Sequence, residues 1–315
     1  MYRIGIDLGG TNVAFGLVDE TGRLLKKESV PTMRDASAEE LTEAIAENTL
    51  AFIKKCGIGE DSVESVGIGC PGACNDEKGI LLLTVNLPFR NTDIRGIFSR
   101  YTKIPVHIGN DANCAALGEA LFGGGKGTKT SLTITLGTGV GGGIVIDGKL
   151  YTGFNGMAGE MGHMVIRKSG VRCGCGRRGC FETYASATAV IRETREALAK
   201  HPDSLISRLC DGDPSKIDAK TAFDAMRLGD KTGERIVKAY IKDLGEGIIN
   251  YINIFQPEII LLGGGVSKEG EGLLKPLRRY VYRFSYGAAM FKKTRTRIEK
   301  AQLGNDAGII GAAML

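Results

Sequence analysis

The sequence predicts an α/β protein built from two similar domains with a cleft between them. Three observations carry that expectation. The chain has 315 residues, too many for one small core. A strand, glycine-loop, strand pattern occurs twice. Helical periodicity fills much of the second half, interrupted by a buried-looking strand.

The elements follow in order. Tyr2 to Asp7 is an apolar-rich strand that stops at Gly9-Gly10-Thr11, and Val13 to Asp19 resumes as a strand. Thr21-Gly22 turns the chain, and Arg23 to Val30 returns. Glu39 to Cys56 sets Leu41, Ile45, Leu50 and Ile53 on a polar background and reads as a helix. Val63 to Ile68 and Val106 to Ile108 are strands, and Asn110 to Phe122 is an Ala-rich helix. The opening pattern then recurs as strand Ser131 to Leu136, loop Gly137-Thr138-Gly139 and strand Gly143 to Asp147. At a constant offset, Ile6, Leu8, Gly9 and Asp19 fall on Ile134, Leu136, Gly137 and Asp147, which suggests an internal duplication. Helices are expected over Glu182 to Lys200, Thr221 to Leu228 and Gly233 to Phe255. Glu258 to Leu262 is a strand running into Gly263-Gly264-Gly265, and Gly304 to Leu315 is a closing helix. Pro202 to Asp218 and Tyr280 to Lys293 read as irregular.

Composition narrows the function classes. Hydrophobic content of 43% and charged content of 24% describe an ordinary globular protein. The 46 glycines cluster in turns and read as places where backbone approaches something closely. A net charge of +5 is mild and helps attract an anionic ligand, but no Lys/Arg block suggests a nucleic-acid surface. The opening MYRIGIDLGG is unlike a signal peptide, and no apolar run reaches the roughly 18 residues of a membrane span, so a cytoplasmic protein is expected. Eight cysteines in such a chain argue for reduced thiols.

Gly137-x-Gly139-x-x-Gly142 matches a dinucleotide fingerprint as a string, but Ile144-Val145-Ile146 continues as a strand where that motif needs a helix. Lys126 lacks the Ser or Thr that would make a Walker loop. Glycine turns between strands can still bind phosphate, because their N–H groups form a concave donor nest and a Thr hydroxyl adds a donor. Thr11 and Thr138 occupy matching places in the two loops. Gly263, Gly264 and Gly265 after a buried strand add a third candidate.

His163, Cys173, Cys175 and Cys180 supply three thiolates and an imidazole, a closed tetrahedral set suited to structural Zn²⁺. Asp111 precedes the Ala-rich helix, where its residue type alone reads as an N-cap. Glu182 alone reads as a first-turn carboxylate favoured by the helix dipole.

Asp7-Leu8-Gly9-Gly10-Thr11, Leu136-Gly137-Thr138-Gly139 and Leu262-Gly263-Gly264-Gly265 resemble the two phosphate motifs and the adenosine motif of the actin/hexokinase-like (ribonuclease H-like) ATPase fold. Asn110-Asp111-Ala112-Asn113, Glu160-Met161-Gly162-His163 and Cys173-Gly174-Cys175-Gly176 through Cys180-Phe181-Glu182 resemble the ROK family of repressors and sugar kinases. The resemblance runs nearly end to end. It implies a domain of residues 1–117 plus 298–315, onto which the C-terminal helix folds back, and a second domain of residues 118–297. It implies that Asp111 is the catalytic base and that Asn110, Asp111, Glu160, His163 and Glu182 contact a hexose. ATP would lie on Gly9, Gly10, Thr11, Gly137, Thr138, Gly139, Gly263, Gly264 and Gly265, and Asp7 reads equally as holding Mg²⁺ through water or as capping the turn. His163 would serve zinc through one nitrogen and sugar through the other. A homodimer is the assembly the family suggests.

The expected activity is therefore transfer of the ATP γ-phosphate to a hexose, glucose first. N-acetylmannosamine, N-acetylglucosamine, fructose and allose are the alternatives within the family. A sugar-responsive repressor is disfavoured because the first strand begins at Tyr2 and leaves no room for a helix-turn-helix domain. A non-catalytic sugar sensor would need loss of Asp111 or a phosphate loop, and both are present.

Overall fold

A computed structural model describes residues 1–84, 86–287, 290 and 292–315. In chain order the elements of the first half are β1 (Tyr2–Leu8), β2 (Asn12–Val18), β3 (Leu24–Pro31), α1 (Ala38–Lys55), β4 (Val63–Cys70), β5 (Ala73–Asn75), β6 (Ile80–Leu83), β7 (Arg90–Asp93), α2 (Ile94–Phe98), β8 (Val106–Asn110) and α3 (Asp111–Phe122). There follow β9 (Thr130–Leu136), β10 (Val140–Ile146), β11 (Lys149–Leu150), α4 (Glu182–Ala185), α5 (Ala187–Lys200), α6 (Leu205–Leu209), α7 (Thr221–Arg227), α8 (Lys231–Phe255), β12 (Ile259–Gly263), α9 (Glu271–Phe284), β13 (Arg297–Lys300) and α10 (Ala307–Ala312).

The duplication expected from the sequence is visible as topology. One sheet is ordered β3-β2-β1-β4-β8 and another β11-β10-β9-β12-β13. In the first, β1–β2 and β2–β3 are antiparallel while β1–β4 and β4–β8 are parallel. In the second, β10–β11 is antiparallel and β12–β13 parallel. A small third sheet, β5-β6-β7, has no counterpart in the sequence reading. The chain forms two compact units: residues 1–133, 143–159 and 302–315, and residues 134–142 and 160–301.

In the first unit Ile4, Ile6, Leu8, Phe15, Ile68 and Ile108 bury the sheet against α1, whose Leu41, Ile45 and Phe52 face it. A capping box starts α1: Ser37 accepts the Glu40 N–H, and the Glu40 side chain accepts the Ser37 N–H. The far end of the chain completes this unit. A side chain at Gly5 would stand 1.9 Å from the Ile309 carbonyl oxygen, and one at Gly67, its neighbour across β1 and β4, 1.7 Å from that of Ala312. These paired glycines are the floor on which α10 lies. Gly311 of α10 likewise meets the Cys114 carbonyl of α3. The buried Glu119 carboxylate fastens the approach to α10 by accepting N–H bonds from Gln302 (3.0 Å) and Leu303 (2.6 Å). These glycines serve packing in regular structure, not only the turns that composition suggested.

In the second unit α8 is the central helix, started by Asp230 accepting the Gly233 N–H. Phe181 packs edge-on against Tyr251 at 5.8 Å, in a hole that Gly247 of α8 leaves for it. The single helix expected over Glu182 to Lys200 is broken at Ser186, whose extended backbone and hydroxyl cap α5 afresh. Pro202 to Asp218 is not wholly irregular, since it holds α6. Nor is Tyr280 to Phe284, which ends α9; Ala288, Ala289 and Phe291 of that stretch lie outside the described residues. The closing segment begins as a tight turn at Gly304–Asp306 before α10.

Candidate functional site

Each unit carries a glycine loop at the end of a strand. In the first, β1 ends at Leu8 and the loop Gly9-Gly10-Thr11 leads into β2. All three loop carbonyls are tied back to the segment after β3. Thr32 Oγ1 donates to Gly9 O (2.7 Å), Arg34 Nε to Gly10 O (2.6 Å) and Thr32 N to Thr11 O (2.9 Å). A trans peptide points its N–H opposite to its C=O. The N–H groups of Gly10 and Thr11 therefore face the other way, the direction that a phosphate-binding donor nest would require. A side chain added at Gly10 would meet no protein atom within 4 Å, so the fold itself makes no demand for glycine there.

Asp7 precedes this loop. Burial, and then the nearby Asp111 charge, push its carboxyl above the usual range, while Lys27 works in the opposite direction. Asp111 is the first residue of α3 and is not its cap. Asn110 performs that task, its Oδ1 accepting the Asn113 N–H (3.1 Å) while its Nδ2 donates to Gly72 O (3.1 Å). The Asp111 Oδ1 accepts the N–H of Ala112 at 2.8 Å. The two carboxylates thus share one neighbourhood at the end of β1 and the start of α3. That pairing suits a site that binds a divalent cation and removes a proton.

In the second unit the loop Gly137-Thr138-Gly139 is built like the first. Gly137 O accepts the Ala187 N–H (2.8 Å), and Thr138 O accepts from Thr188 Oγ1 (2.7 Å), so again the carbonyls are fastened and the N–H groups of Thr138 and Gly139 face away. The third glycine run passes beside this loop: a side chain at Gly264, whose φ is +80°, would stand 2.5 Å from the Leu136 carbonyl oxygen. Gly263, Gly264 and Gly265 are thereby brought to the same place as the second loop, while Gly265 has open space at its Cβ position.

Glu182 joins this loop to the metal-ligand set. Its Oε2 accepts the Val140 N–H at 3.0 Å, and its Oε1 lies 3.7 Å from Cys173 Sγ. At Gly139 a side chain would stand 2.4 Å from Glu182 Oε2, so adding one would displace the carboxylate from the Val140 N–H. Glu160 is exposed and begins the short turn Met161–His163, which Gly162 lets settle against the Val140 carbonyl.

The donor atoms of His163, Cys173, Cys175 and Cys180 all lie within 4.8 Å of one another. Zn–S bonds of about 2.3 Å and a Zn–N bond of about 2.0 Å at the tetrahedral angle require S···S near 3.8 Å and S···N near 3.5 Å. Cys175 and Cys180 sulfurs are 3.7 Å apart, and Cys173 Sγ is 3.6 Å from His163 Nδ1. The set fits zinc, and Nδ1 is the ring nitrogen beside the Cys173 sulfur, so ligation through it would leave Nε2 for another partner. The wrap is short: Cys173 N donates to Arg177 O and Gly176 N to Cys173 O. Gly179, at φ +80°, passes so close to the Arg167 carbonyl that no side chain fits. Burial pushes the Cys173 thiol up and the Cys180 thiol to about 12, while the Arg177 N–H holds Cys175 down.

A family model for ROK proteins matches residues 3–315. The chain belongs to the ROK family. It is 41% identical over 313 residues to a glucokinase of Thermotoga maritima, covering 99% of this chain and 96% of that one. It is similar in structure to a ROK family glucokinase from Streptomyces griseus solved in complex with glucose and AMPPNP, at 36% identity and a TM-score of 0.81, covering 100% of this chain and 98% of that one. A xylose repressor of Caldicellulosiruptor bescii is 30% identical over 311 residues, covering 98% of this chain and 76% of the repressor. Membership of this family therefore spans kinases and repressors, and fold alone does not separate them.

Thr32, Arg34 and Thr188 were missed by the sequence reading. The first two were recoverable from hairpin register: β2 and β3 pair with Asn12 opposite Pro31, which sets Thr32 and Arg34 beside the first loop.

Proposed function

We propose that this chain is an ATP-dependent hexose kinase whose substrate is glucose. The observation that carries the reading is the Asp7–Asp111 pair next to a loop whose amides face outward, with Asn110 relieving Asp111 of the capping role. Phosphoryl transfer to a hydroxyl needs positioning, charge neutralisation and a group to take the hydroxyl proton. Asp111 takes that proton. Asp7 would hold Mg²⁺ through water, and the metal would supply neutralisation of the phosphate charge. Gly9, Gly10, Thr11, Gly137, Thr138 and Gly139 bind phosphates through N–H and hydroxyl donors, and Gly263, Gly264 and Gly265 give the adenosine room. Asn110, Glu160, His163 and Glu182 contact sugar hydroxyls. His163 does so through Nε2, while Nδ1 would hold a structural zinc with the three cysteines, and Glu182 still has lone pairs to accept a hydroxyl.

Sequence similarity to glucokinases across the whole chain supports glucose within the hexose class. A cytoplasmic homodimer accompanies this reading. Among the described residues no helix is long and apolar enough to cross a membrane. The test is ADP release from ATP and Mg²⁺ with glucose, N-acetylmannosamine, N-acetylglucosamine, fructose and allose, compared as kcat/KM. Glucose is expected to lead. A higher value for another sugar would reassign the substrate, and no release with any sugar would sink the kinase reading.

A further inference from the structure

Arg34 stands in the loop between β3 and α1, outside every motif of the sequence reading. Its guanidinium makes two bonds to the first phosphate loop: Nε to Gly10 O at 2.6 Å and Nη2 to Thr11 Oγ1 at 2.9 Å. Among the described residues no carboxylate lies within ion-pairing distance of it, so its charge is not spent on an acidic side chain. We propose that Arg34 is a positioning residue for the nucleotide, a role that rests on the kinase reading above. It holds the Gly9-Gly10-Thr11 loop so that backbone and hydroxyl donors face the phosphates.

Two physical consequences follow from those bonds. Fixing the Gly10 carbonyl fixes the Gly10–Thr11 peptide plane, and with it the outward direction of the Thr11 N–H. Filling a lone pair of the Thr11 hydroxyl leaves that hydroxyl its proton to give, so Thr11 becomes a donor to phosphate instead of an acceptor. An anionic ligand needs both. Thr32 holds the Gly9 and Thr11 carbonyls, while Gly10 O and the Thr11 hydroxyl are held by Arg34, on a stretch where a Cβ at Gly10 would meet no described protein atom within 4 Å. The second loop achieves the same carbonyl anchoring with the Ala187 N–H and the neutral Thr188 hydroxyl. The first loop, which neighbours Asp7 and Asp111, instead uses a cation. A planar fork presents its donors from separate nitrogens at fixed spacing, as the hydrogen bonds to Gly10 O and the Thr11 hydroxyl require, whereas an ammonium offers all of its donors from one point.

The test is titration of Mg²⁺·ADP and, separately, glucose into wild type, Arg34→Ala and Arg34→Lys, with melting temperatures alongside. Loss of two charge-assisted bonds should weaken nucleotide binding about 10- to 100-fold. Glucose affinity and melting temperature should stay near wild type, and Lys, which keeps the charge and one bond, should fall between. Thr11→Val combined with Arg34→Ala should cost less than the sum of the two, because both act through one hydroxyl. Nucleotide affinity unchanged in Arg34→Ala, equal losses for both ligands, Arg34→Lys matching wild type, or strict additivity in the double variant would each overturn the role while leaving the kinase reading in place. A wild type that binds no nucleotide would overturn both.

Discussion

Cys175→Ala separates a purely structural zinc from one that shapes sugar recognition. Cys175 is the exposed member of the ligand set, so its truncation opens no cavity, and any distant effect must travel through the metal. One proposed sugar contact belongs to the set and another touches it: His163 Nδ1 lies 3.6 Å from Cys173 Sγ, and Glu182 Oε1 lies 3.7 Å from the same sulfur. Losing the metal frees the His163 ring and leaves the Glu182 carboxylate beside an unligated thiol. Changes of this kind in the support of a site typically cost about 10- to 100-fold, so glucose affinity should fall by one to two orders of magnitude. ADP affinity should change little, because the carbonyls of Gly137 and Thr138 are anchored by Ala187 and Thr188 instead. Wild type should carry about one zinc per chain by elemental analysis, and the variant much less. Both ligands are then titrated calorimetrically below the variant's melting point, since metal loss also weakens folding. A folded, zinc-depleted variant with undiminished glucose affinity would refute the coupling, and a zinc-free wild type would refute the metal centre itself.

Three further outcomes are expected. Asp111→Asn should lower kcat by about 10²- to 10⁴-fold, the usual cost of losing a general base, with glucose affinity kept within roughly tenfold; near-normal turnover would remove Asp111 from that role. Gly10→Ala should leave the melting temperature unchanged, because its Cβ meets open space, yet weaken ATP binding in a titration; unaltered ATP affinity would show that no ligand approaches that atom. Asp7 has a folded-state pKa above its unfolded value, so the protonated form is favoured by folding, and the associated stability is present at acid pH and lost as pH rises through the raised pKa. Asp7→Asn should therefore melt above wild type at pH 7, with the gap closing on acidification toward pH 4, while Mg²⁺-dependent turnover falls; a variant less stable at neutral pH would contradict the burial argument.

The duplicated halves were legible because strand–glycine–strand is a local pattern. Strands β1, β2, β4, β9 and β12 and helices α1 and α8 came through for the same reason. The short sheet β5-β6-β7 did not, since its strands run only three or four residues and show no alternation. Helix α9 carries Pro276 in its interior, a residue that ordinarily argues for a break, yet Leu273, Leu274, Leu277 and Val281 still bury one face. Ser186 splits a stretch whose apolar spacing is continuous, because a hydroxyl cap competes with helix continuation. At the candidate site, the ligand set and both loops were readable as spacing. Which side chain caps α3 was not, since Asn110 and Asp111 are both good caps and the choice depends on backbone direction at the end of β8.

The glycine floor of Gly5 and Gly67 has a consequence for how the chain is made. It accepts only backbone, and the backbone it accepts belongs to Ile309 and Ala312. Strand β1 is therefore completed by residues made long after it, with the whole of residues 160–301 synthesised in between. Contacts of such sequence separation form slowly, and until they form, the strand faces bearing Gly5 and Gly67 have no cover. The second unit, continuous over most of its length, can mature first. Nascent chains paused before residue 302 should thus be protease-sensitive in their N-terminal sheet and protected in the later-made unit, the reverse of the usual order of synthesis and folding.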